Sequence, residues 1–161
     1  MIVVSNTSPL TNLAAVGQLD LLRQLYGKVL IPQAVYGELT GSSGGQPGAV
    51  EVQTVEWIET RPVANHTLVT ALQMELDTGE AEAIALAKEL AADLLLLDER
   101  RGRAVALRLD LRFVGLLGVL IEAKQKDCIL AIKPVLDDLV TKAGFWVSQP
   151  LYARVLQAAG E

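Results

Sequence analysis

The sequence predicts an α/β fold in which helices cover both faces of a mostly parallel central sheet. Short apolar runs alternate with helix-forming segments along the 161 residues. One run, residues 94–97, is apolar without alternation, which is typical of a strand buried on both faces. The chain is 51% hydrophobic and has no repeat or long linker, so we expect one domain over residues 1–161.

Local patterns predict the individual elements in chain order. Apolar and β-branched runs predict strands at residues 1–5, 28–31, 55–58, 94–97 and 111–114. Helices are expected at residues 9–17, 20–26, 32–39, 69–76, 78–91, 99–109, 118–126, 132–143 and 149–158. Ser8, with Pro9 at the first helical position, is the expected N-cap of the first helix, and Thr78 that of the central helix. Residues 41–48, GSSGGQPG, are expected to form a loop.

The central stretch, residues 78–103, places two carboxylates where chemistry is expected. Glu80 shares the apolar face of its helix with Ile84, whereas Glu82 lies on the polar face as an ordinary solvated carboxylate. Asp98 directly follows the strand at 94–97, and ligands of open parallel sheets bind at the carboxyl ends of strands. Either residue alone also fits a structural role, Glu80 at the positive end of a helix and Asp98 as a helix cap.

Two further oxygen-bearing side chains extend this pattern. Asn6 follows the first strand, and Glu38 lies near the end of the helix after the second strand. If Asn6, Glu38, Glu80 and Asp98 converge, they form an all-oxygen site that suits Mg²⁺ or Mn²⁺ rather than zinc or copper. Because converged carboxylates repel one another, a divalent cation that activates water for phosphodiester hydrolysis is the natural occupant.

The composition disfavours several other classes of protein. Cys128 is the only cysteine and His66 the only histidine, so an intrachain disulfide and a Cys/His zinc site are excluded. A Ser-His-Asp triad is disfavoured, because His66 lies in a polar turn without a nucleophile elbow nearby. No Gly-x-Gly-x-x-Gly follows a strand and no Gly-Lys-Ser/Thr is present, which argues against a Rossmann-type dinucleotide site and a P-loop.

Charge and hydropathy bear on partners and location. The net charge of −5 weakens a nucleic-acid interpretation, but Arg100, Arg101 and Arg103 form a local basic cluster after Asp98 that is placed to steer phosphates. The N-terminal MIVVSN lacks the features of a signal peptide, and no apolar run reaches membrane-spanning length. We therefore expect a cytoplasmic protein without a membrane partner.

Several segments together resemble the PIN-domain proteins, and specifically a small prokaryotic family of unknown function related to the toxins of toxin–antitoxin pairs. The segments are residues 3–10 (VVSNTSPL), 29–39 (VLIPQAVYGEL), 79–84 (GEAEAI), 96–103 (LLDERRGR) and 115–120 (GLLGVL). The resemblance implies a three-layer α/β/α sandwich of the 5′ nuclease type. It also implies an acidic site that binds Mg²⁺ or Mn²⁺ and cleaves single-stranded RNA.

The resemblance carries over to individual residues. Glu38, Glu80 and Asp98 correspond to the catalytic metal ligands, and Thr7 and Ser8 to the hydroxyl residues that support the site. Asn6 stands where the family has its first acidic residue. Its amide oxygen can still coordinate the cation but brings no negative charge, so we expect weaker metal binding and weak, metal-selective or absent activity.

The resemblance also implies partners. Many members of the family are toxins, so an antitoxin protein is an expected partner. The apolar side chains of Leu151, Val155 and Leu156 on the last helix suggest a homodimer, although the same residues could instead complete the core.

Three functions fit these observations. The first is a metal-dependent ribonuclease that uses Glu38, Glu80 and Asp98, with Asn6 as a neutral ligand. The second is a non-catalytic module of the same fold that binds RNA or a protein partner, which Asn6 and the acidic composition favour. The third, phosphoryl transfer at Asp98, ranks last because the first strand is not followed by paired aspartates.

Overall fold

The central sheet of the protein is parallel throughout, as the computed structural model shows over residues 1–41 and 45–161. Its five strands run in the order β3-β2-β1-β4-β5. They are β1 (Val3–Ser5), β2 (Val29–Pro32), β3 (Ile58–Arg61), β4 (Leu94–Leu96) and β5 (Phe113–Val114). In register, Val4 lies beside Leu30 on one side and Leu95 on the other. The predicted parallel α/β sheet is confirmed; residues 42–44 of the predicted loop lie outside the described residues.

Helices cover both faces of the sheet, so the predicted three-layer sandwich is also confirmed. They are α1 (Thr7–Ala15), α2 (Asp20–Tyr26), α3 (Gln33–Thr40), α4 (Ala49–Thr54), α5 (His66–Leu72), α6 (Thr78–Glu89), α7 (Arg100–Arg108), α8 (Leu116–Gln125), α9 (Lys133–Thr141) and α10 (Gln149–Ala158). In the part of the chain that the structure describes, none of these helices is both long and apolar enough to cross a membrane.

Two apolar clusters, one on each face of the sheet, form the core. Side chains of successive strand residues point to opposite faces, so Val3 and Leu96 join one cluster while Val4 and Leu95 join the other. Helices α5, α6 and α7 cover the second cluster, and the remaining helices pack mainly on the first. Because both faces are buried, the strand positions have to be apolar, which is why residues 94–97 show no alternation.

Several helix starts differ from the prediction, and those of α1, α5 and α6 have a clear physical reason. Helix α1 begins at Thr7 directly after the extended Asn6, so Pro9 lies in its third position and Ser8 is not the N-cap. The N-cap of α6 is Asp77 rather than Thr78, because the Asp77 carboxylate accepts a hydrogen bond from the Glu80 N–H at 2.8 Å. Helix α5 begins at residue 66, three residues early, since the side chain of Asn65 caps it.

The third strand also lies further along the chain than predicted. We expected residues 55–58, but β3 runs from Ile58 to Arg61. Residues 49–54 form α4, so the chain turns before it can pair with β2. The register of β3 against β2, with Ile58 beside Val29, then sets the strand boundaries.

The polar face of α6 is not simply solvated, and the expectation for Glu82 was wrong. Glu82 is half-buried, and its carboxylate accepts a hydrogen bond from the Ala34 N–H at 3.1 Å. Ala34 lies in the first turn of α3, where backbone N–H groups have no partner within the helix. Glu82 therefore caps α3 from a neighbouring helix and ties together the two helices that carry Glu38 and Glu80.

The last helix completes the core. Val155 is 5% exposed and Leu156 packs against the first apolar cluster, whereas Leu151 is 39% exposed. Of the two alternatives that the sequence left open for these residues, the core interpretation holds for Val155 and Leu156. They therefore give no support to a homodimer.

We expect Glu82→Ala to lower the free energy of unfolding by about 0.5–2 kcal/mol, as the loss of other helix caps does. Chemical denaturation measures this change. Glu56→Ala, at an exposed turn position, is the control and should change stability by less than about 0.5 kcal/mol. Equal effects of the two substitutions would show that Glu82 does not cap α3.

Candidate active site

An acidic cleft opens at the edge of the sheet where β1, β2 and β4 end. We define the acidic cleft by the residues that line it: Asn6, Thr7, Ser8, Thr11, Glu38, Gln46, Asp77, Glu80 and Glu99. Its volume is about 380 Å³. Because the strands are parallel, their carboxyl ends meet at this one edge and bring together residues that are far apart in sequence. The backbone N–H of Asn6 donates to the Leu96 carbonyl at 3.1 Å, which fixes the end of β1 against β4.

Glu38 is held in the cleft by a hydroxyl and by a close backbone approach. The Thr7 hydroxyl donates a hydrogen bond to its carboxylate. The same carboxylate lies against Gly79, where any Cβ would overlap it. The glycine thus lets Glu38 reach the N-terminal turn of α6, whose free N–H groups favour a negative charge.

Glu80 is the most electrostatically strained group of the cleft. Its side chain is 8% exposed, and its Oε2 has no hydrogen-bond partner among the described residues. Burial, followed by the nearby carboxyl groups of Asp77, Glu99 and Glu38, raises the pKa of Glu80 to about 8. The predicted position of Glu80, on the apolar side of the first helical turn, is the cause of this burial.

Asp98 lies next to the acidic cleft rather than in it. Its Oδ1 accepts a hydrogen bond from the Leu116 N–H at 2.9 Å and lies 3.8 Å from the Arg103 guanidinium. Its Oδ2 is buried and has no partner among the described residues. Burial raises the pKa of Asp98, while the Leu116 N–H and Arg103 oppose that shift.

The neighbouring opening contains Asp98 and several aromatic side chains. We define this aromatic pocket by its lining residues: Ser8, Asn12, Asp98, Glu99, Arg103, Phe113, Val114, Gly115, Leu117, Gly118, Gly144, Phe145, Trp146 and Leu151. Ser8 and Glu99 line both openings. Of the four predicted ligands, the structure therefore brings Asn6, Glu38 and Glu80 into one cleft and places Asp98 beyond Glu99.

The donor chemistry of the cleft fits a hard divalent cation. Among residues 1–41 and 45–161, no three Asp, Glu, His or Cys side chains stand close enough together to hold one ion. The donors are nevertheless all oxygen, and a buried carboxylate oxygen lacks a partner on both Glu80 and Asp98. A single ligand shell therefore requires at least one side chain to change rotamer.

The three arginines predicted to contact nucleic acid lie on two sides of the site. Arg100 and Arg101 line a third opening together with Glu80 and Glu99, and Arg101 donates to the Glu75 carbonyl. Arg103 lies on the other side, in the aromatic pocket. The basic cluster of the sequence is therefore split by the acidic residues.

Two carboxylates of the cleft, Asp77 and Glu99, are not among the residues that the sequence predicts for the site. The signal for Asp77 is its position just ahead of a helix, where the neighbouring Thr78 is the predicted cap. Glu99 lines all three openings and raises the pKa of both Glu80 and Asp98. Its place in the turn after β4, next to Asp98, was the available signal.

We expect Glu80→Gln to stabilise the metal-free protein at high pH. The Glu80 carboxyl has a pKa near 4.5 when solvated and about 8 when folded, so the folded state holds an extra proton between these values. Stability therefore falls as pH rises through this window, by about 1.4 kcal/mol per pH unit at most. Denaturation in EDTA should show a small difference between variant and wild type at pH 4.5 and a large one at pH 9. If the difference in stability between Glu80→Gln and wild type were the same at both pH values, the raised pKa of Glu80 would be contradicted.

We expect Gly79→Ala to weaken cation binding without lowering stability. The new Cβ displaces the Glu38 carboxylate, which is the free end of a flexible side chain, while alanine favours the helix by up to about 1 kcal/mol. Calorimetric titration with Mn²⁺ should show affinity reduced about tenfold or more. Gly37→Ala on α3 is the matched control, because a Cβ there meets nothing within 4 Å. Equal Mn²⁺ affinity in the two variants would contradict the role given to Gly79.

Comparison with known proteins identifies the family. The model of the DUF3368 family, described as a PIN domain, matches residues 2–161. No curated protein matches the chain. PIN domains generally use divalent metal ions and commonly bind RNA. The match spans nearly the whole chain, and the chain therefore belongs to the PIN domain family.

Proposed function

We propose that the protein is a Mg²⁺- or Mn²⁺-dependent endoribonuclease that hydrolyses single-stranded RNA. The observation that carries this proposal is the buried Glu80 carboxyl, whose pKa is raised to about 8 at the edge where the parallel strands end. A divalent cation would relieve the repulsion that Glu80 experiences from Asp77, Glu99 and Glu38. Membership of a family that generally uses divalent metals and commonly binds RNA supports the same conclusion.

The proposed roles follow the chemistry of the donors. Glu38, Glu80 and Asp98 would hold the cation, with the amide oxygen of Asn6 as a neutral ligand. When bound, the cation supplies an activated water and neutralises charge that develops on the phosphate. The Thr7 hydroxyl orients Glu38 through the hydrogen bond that it donates, and Ser8 lies where the cleft and the aromatic pocket meet.

RNA binding is proposed to use the arginines on both sides of the acidic residues. Arg100 and Arg101 are exposed, so phosphates of the backbone can reach them. Arg103 lies on the far side of Glu99, 3.8 Å from Asp98, and its charge attracts the RNA electrostatically rather than by direct contact with a phosphate. A bound cation would also lower the repulsion between the carboxylates and a phosphate that enters the cleft.

A second candidate is a PIN-fold module that binds RNA or a protein without cleaving. Two observations favour it. Asn6 brings no charge to the cleft, and within the described residues no three acidic side chains stand together as one ligand set. The experiments below separate this candidate from the ribonuclease.

The biological setting is a further part of the proposal and rests on the resemblance alone. We propose that the ribonuclease is the toxin of a toxin–antitoxin pair and that an antitoxin protein binds it. A homodimer and a cytoplasmic location stay predictions.

Cleavage assays test the proposal directly. Purified protein should cleave a labelled single-stranded RNA in Mn²⁺ or Mg²⁺ and not in EDTA. Glu38→Gln, Glu80→Gln and Asp98→Asn should each reduce the rate by about 100-fold or more, since a catalytic cation contributes several kcal/mol. Glu56→Gln, at an exposed position outside the cleft, is the control and should cleave like wild type.

Two results of these assays would argue against the ribonuclease. Equal background cleavage by wild type and Asp98→Asn would contradict the ribonuclease, and RNA binding without cleavage would favour the second candidate.

Asn6→Asp adds the missing charge and should raise Mn²⁺ affinity. If the wild-type protein binds Mn²⁺ no better than Glu80→Gln, the cleft is not a metal site.

A further inference from the structure

We propose that the aromatic pocket is a subsite for one unpaired nucleobase of the RNA, with Trp146 as its stacking platform. The inference rests on the proposed function, because it assigns a place to a base of the strand whose phosphate enters the acidic cleft. It assigns a role to Trp146, which is neither one of the four predicted ligands nor part of the basic cluster.

The size of the pocket suits a flat ring system with its sugar. Its volume is about 710 Å³, within the range of sites that bind small organic groups. The pocket is lined by the segment Gly144–Trp146 after α9 and by the turn from β5 into α8. Ser8 lines both the pocket and the acidic cleft, and Asn12, one turn further along α1, lines the pocket.

Trp146 is exposed and yet firmly positioned. Its side chain is 81% exposed, whereas the preceding Phe145 is half-buried and packs against the first apolar cluster. The Phe145 N–H donates to the Leu139 carbonyl at 2.9 Å, and Gly144 adopts φ +70°. This hydrogen bond ties the segment that follows α9 back onto the helix. The indole is therefore presented from a fixed backbone, and an aromatic ring presented in this way is the usual platform for base stacking.

The polar wall of the pocket favours a base over a phosphate. Asp98 and Glu99 would repel a phosphate here, but the Glu99 carboxylate, which the proposed metal site does not use, can accept hydrogen bonds from the amino groups of a base. Arg103 is already engaged, since its Nε donates to the Leu97 carbonyl at 2.9 Å and its guanidinium lies 5.6 Å from the centre of the Phe113 ring. Because Arg103 covers Phe113, the Trp146 ring is the one left free to stack.

Continuity with the acidic cleft favours RNA over a protein partner. Ser8 and Glu99 line both openings, so a strand with a phosphate in the cleft has its next base within reach of the aromatic pocket. Stacking on Trp146 would not depend strongly on sequence, because every base presents a flat ring. The pocket therefore adds affinity and fixes the register of the strand.

The test measures binding separately from cleavage. Labelled single-stranded RNA with phosphorothioate linkages, which slow hydrolysis, is titrated with protein in Mn²⁺ and compared with an abasic oligomer of equal length. Trp146→Ala should weaken binding of the base-bearing RNA by about 5- to 150-fold and leave the abasic oligomer unchanged. Trp146→Phe should keep most of the affinity. Leu130→Ala, which removes a side chain that is 98% exposed and lies outside both openings, is the matched control.

The outcomes separate this inference from the proposed activity. Cleavage by wild type with equal RNA affinity in Trp146→Ala would overturn the subsite and leave the ribonuclease intact. Trp146-dependent binding without any cleavage would support the subsite and contradict the ribonuclease. Wild-type protein that binds no RNA would overturn both. A wild-type dimer that Trp146→Ala dissociates, with unchanged RNA affinity, would assign the pocket to contacts between copies of the chain.

Discussion

The burial of Glu80 among other carboxyl groups is the constraint on which the rest of the site depends. A carboxyl that is 8% exposed and surrounded by Asp77, Glu99 and Glu38 is costly to ionise, and its pKa rises to about 8. The fold imposes this arrangement, because parallel strands end at one edge and the helices that follow them begin there. The same geometry therefore concentrates negative charge, and a bound cation would reduce the repulsion.

Two glycines connect this electrostatic feature to the packing of the core. Gly79 lets the Glu38 carboxylate lie against the start of α6. Gly102 does the same on the other side, because a Cβ there would lie 2.9 Å from Glu80 Oε2 and 3.2 Å from the methyl groups of the buried Leu97. The close packing of α7 on β4 thus also confines Glu80. The same helix contacts form the core and position the carboxylates of the cleft. A change in the packing of α6 or α7 should therefore change the positions of the Glu38 and Glu80 carboxylates.

The sequence predicted the layers of the fold well and the caps less well. Periodicity and apolar runs identify strands such as residues 94–97, because burial on both faces leaves a strong pattern. Helix caps are harder to predict, because neighbouring residues such as Asp77 and Thr78 can both accept a hydrogen bond from the first turn of a helix. In α6 the N-cap is Asp77, since its carboxylate accepts the hydrogen bond from the Glu80 N–H. The shift of β3 was not predictable either, since its boundaries are set by pairing with β2, a contact distant in sequence.

For the site, the sequence pattern placed four oxygen-bearing side chains near strand ends, and three of them, Asn6, Glu38 and Glu80, line one cleft. It gave no sign that Asp98 would turn toward the Leu116 N–H, which depends on a helix 18 residues further along the chain. It also did not indicate the structural role of Glu82. The partner of Glu82 is the Ala34 N–H on α3, and the two groups meet only because α3 and α6 pack together in the fold. Such contacts between residues that are distant in sequence determine which carboxylates lie close together in the folded protein.

The most direct test of the account is a crystal structure of the protein soaked in Mn²⁺, with anomalous diffraction used to locate the metal. We predict an anomalous peak in the acidic cleft, coordinated by Glu38, Glu80 and Asp98, with the Asn6 amide nearby. Such a structure should also show the Asp98 carboxylate turned away from the Leu116 N–H. A cleft without an anomalous peak at saturating Mn²⁺, with Asp98 still bound to Leu116, would contradict the account.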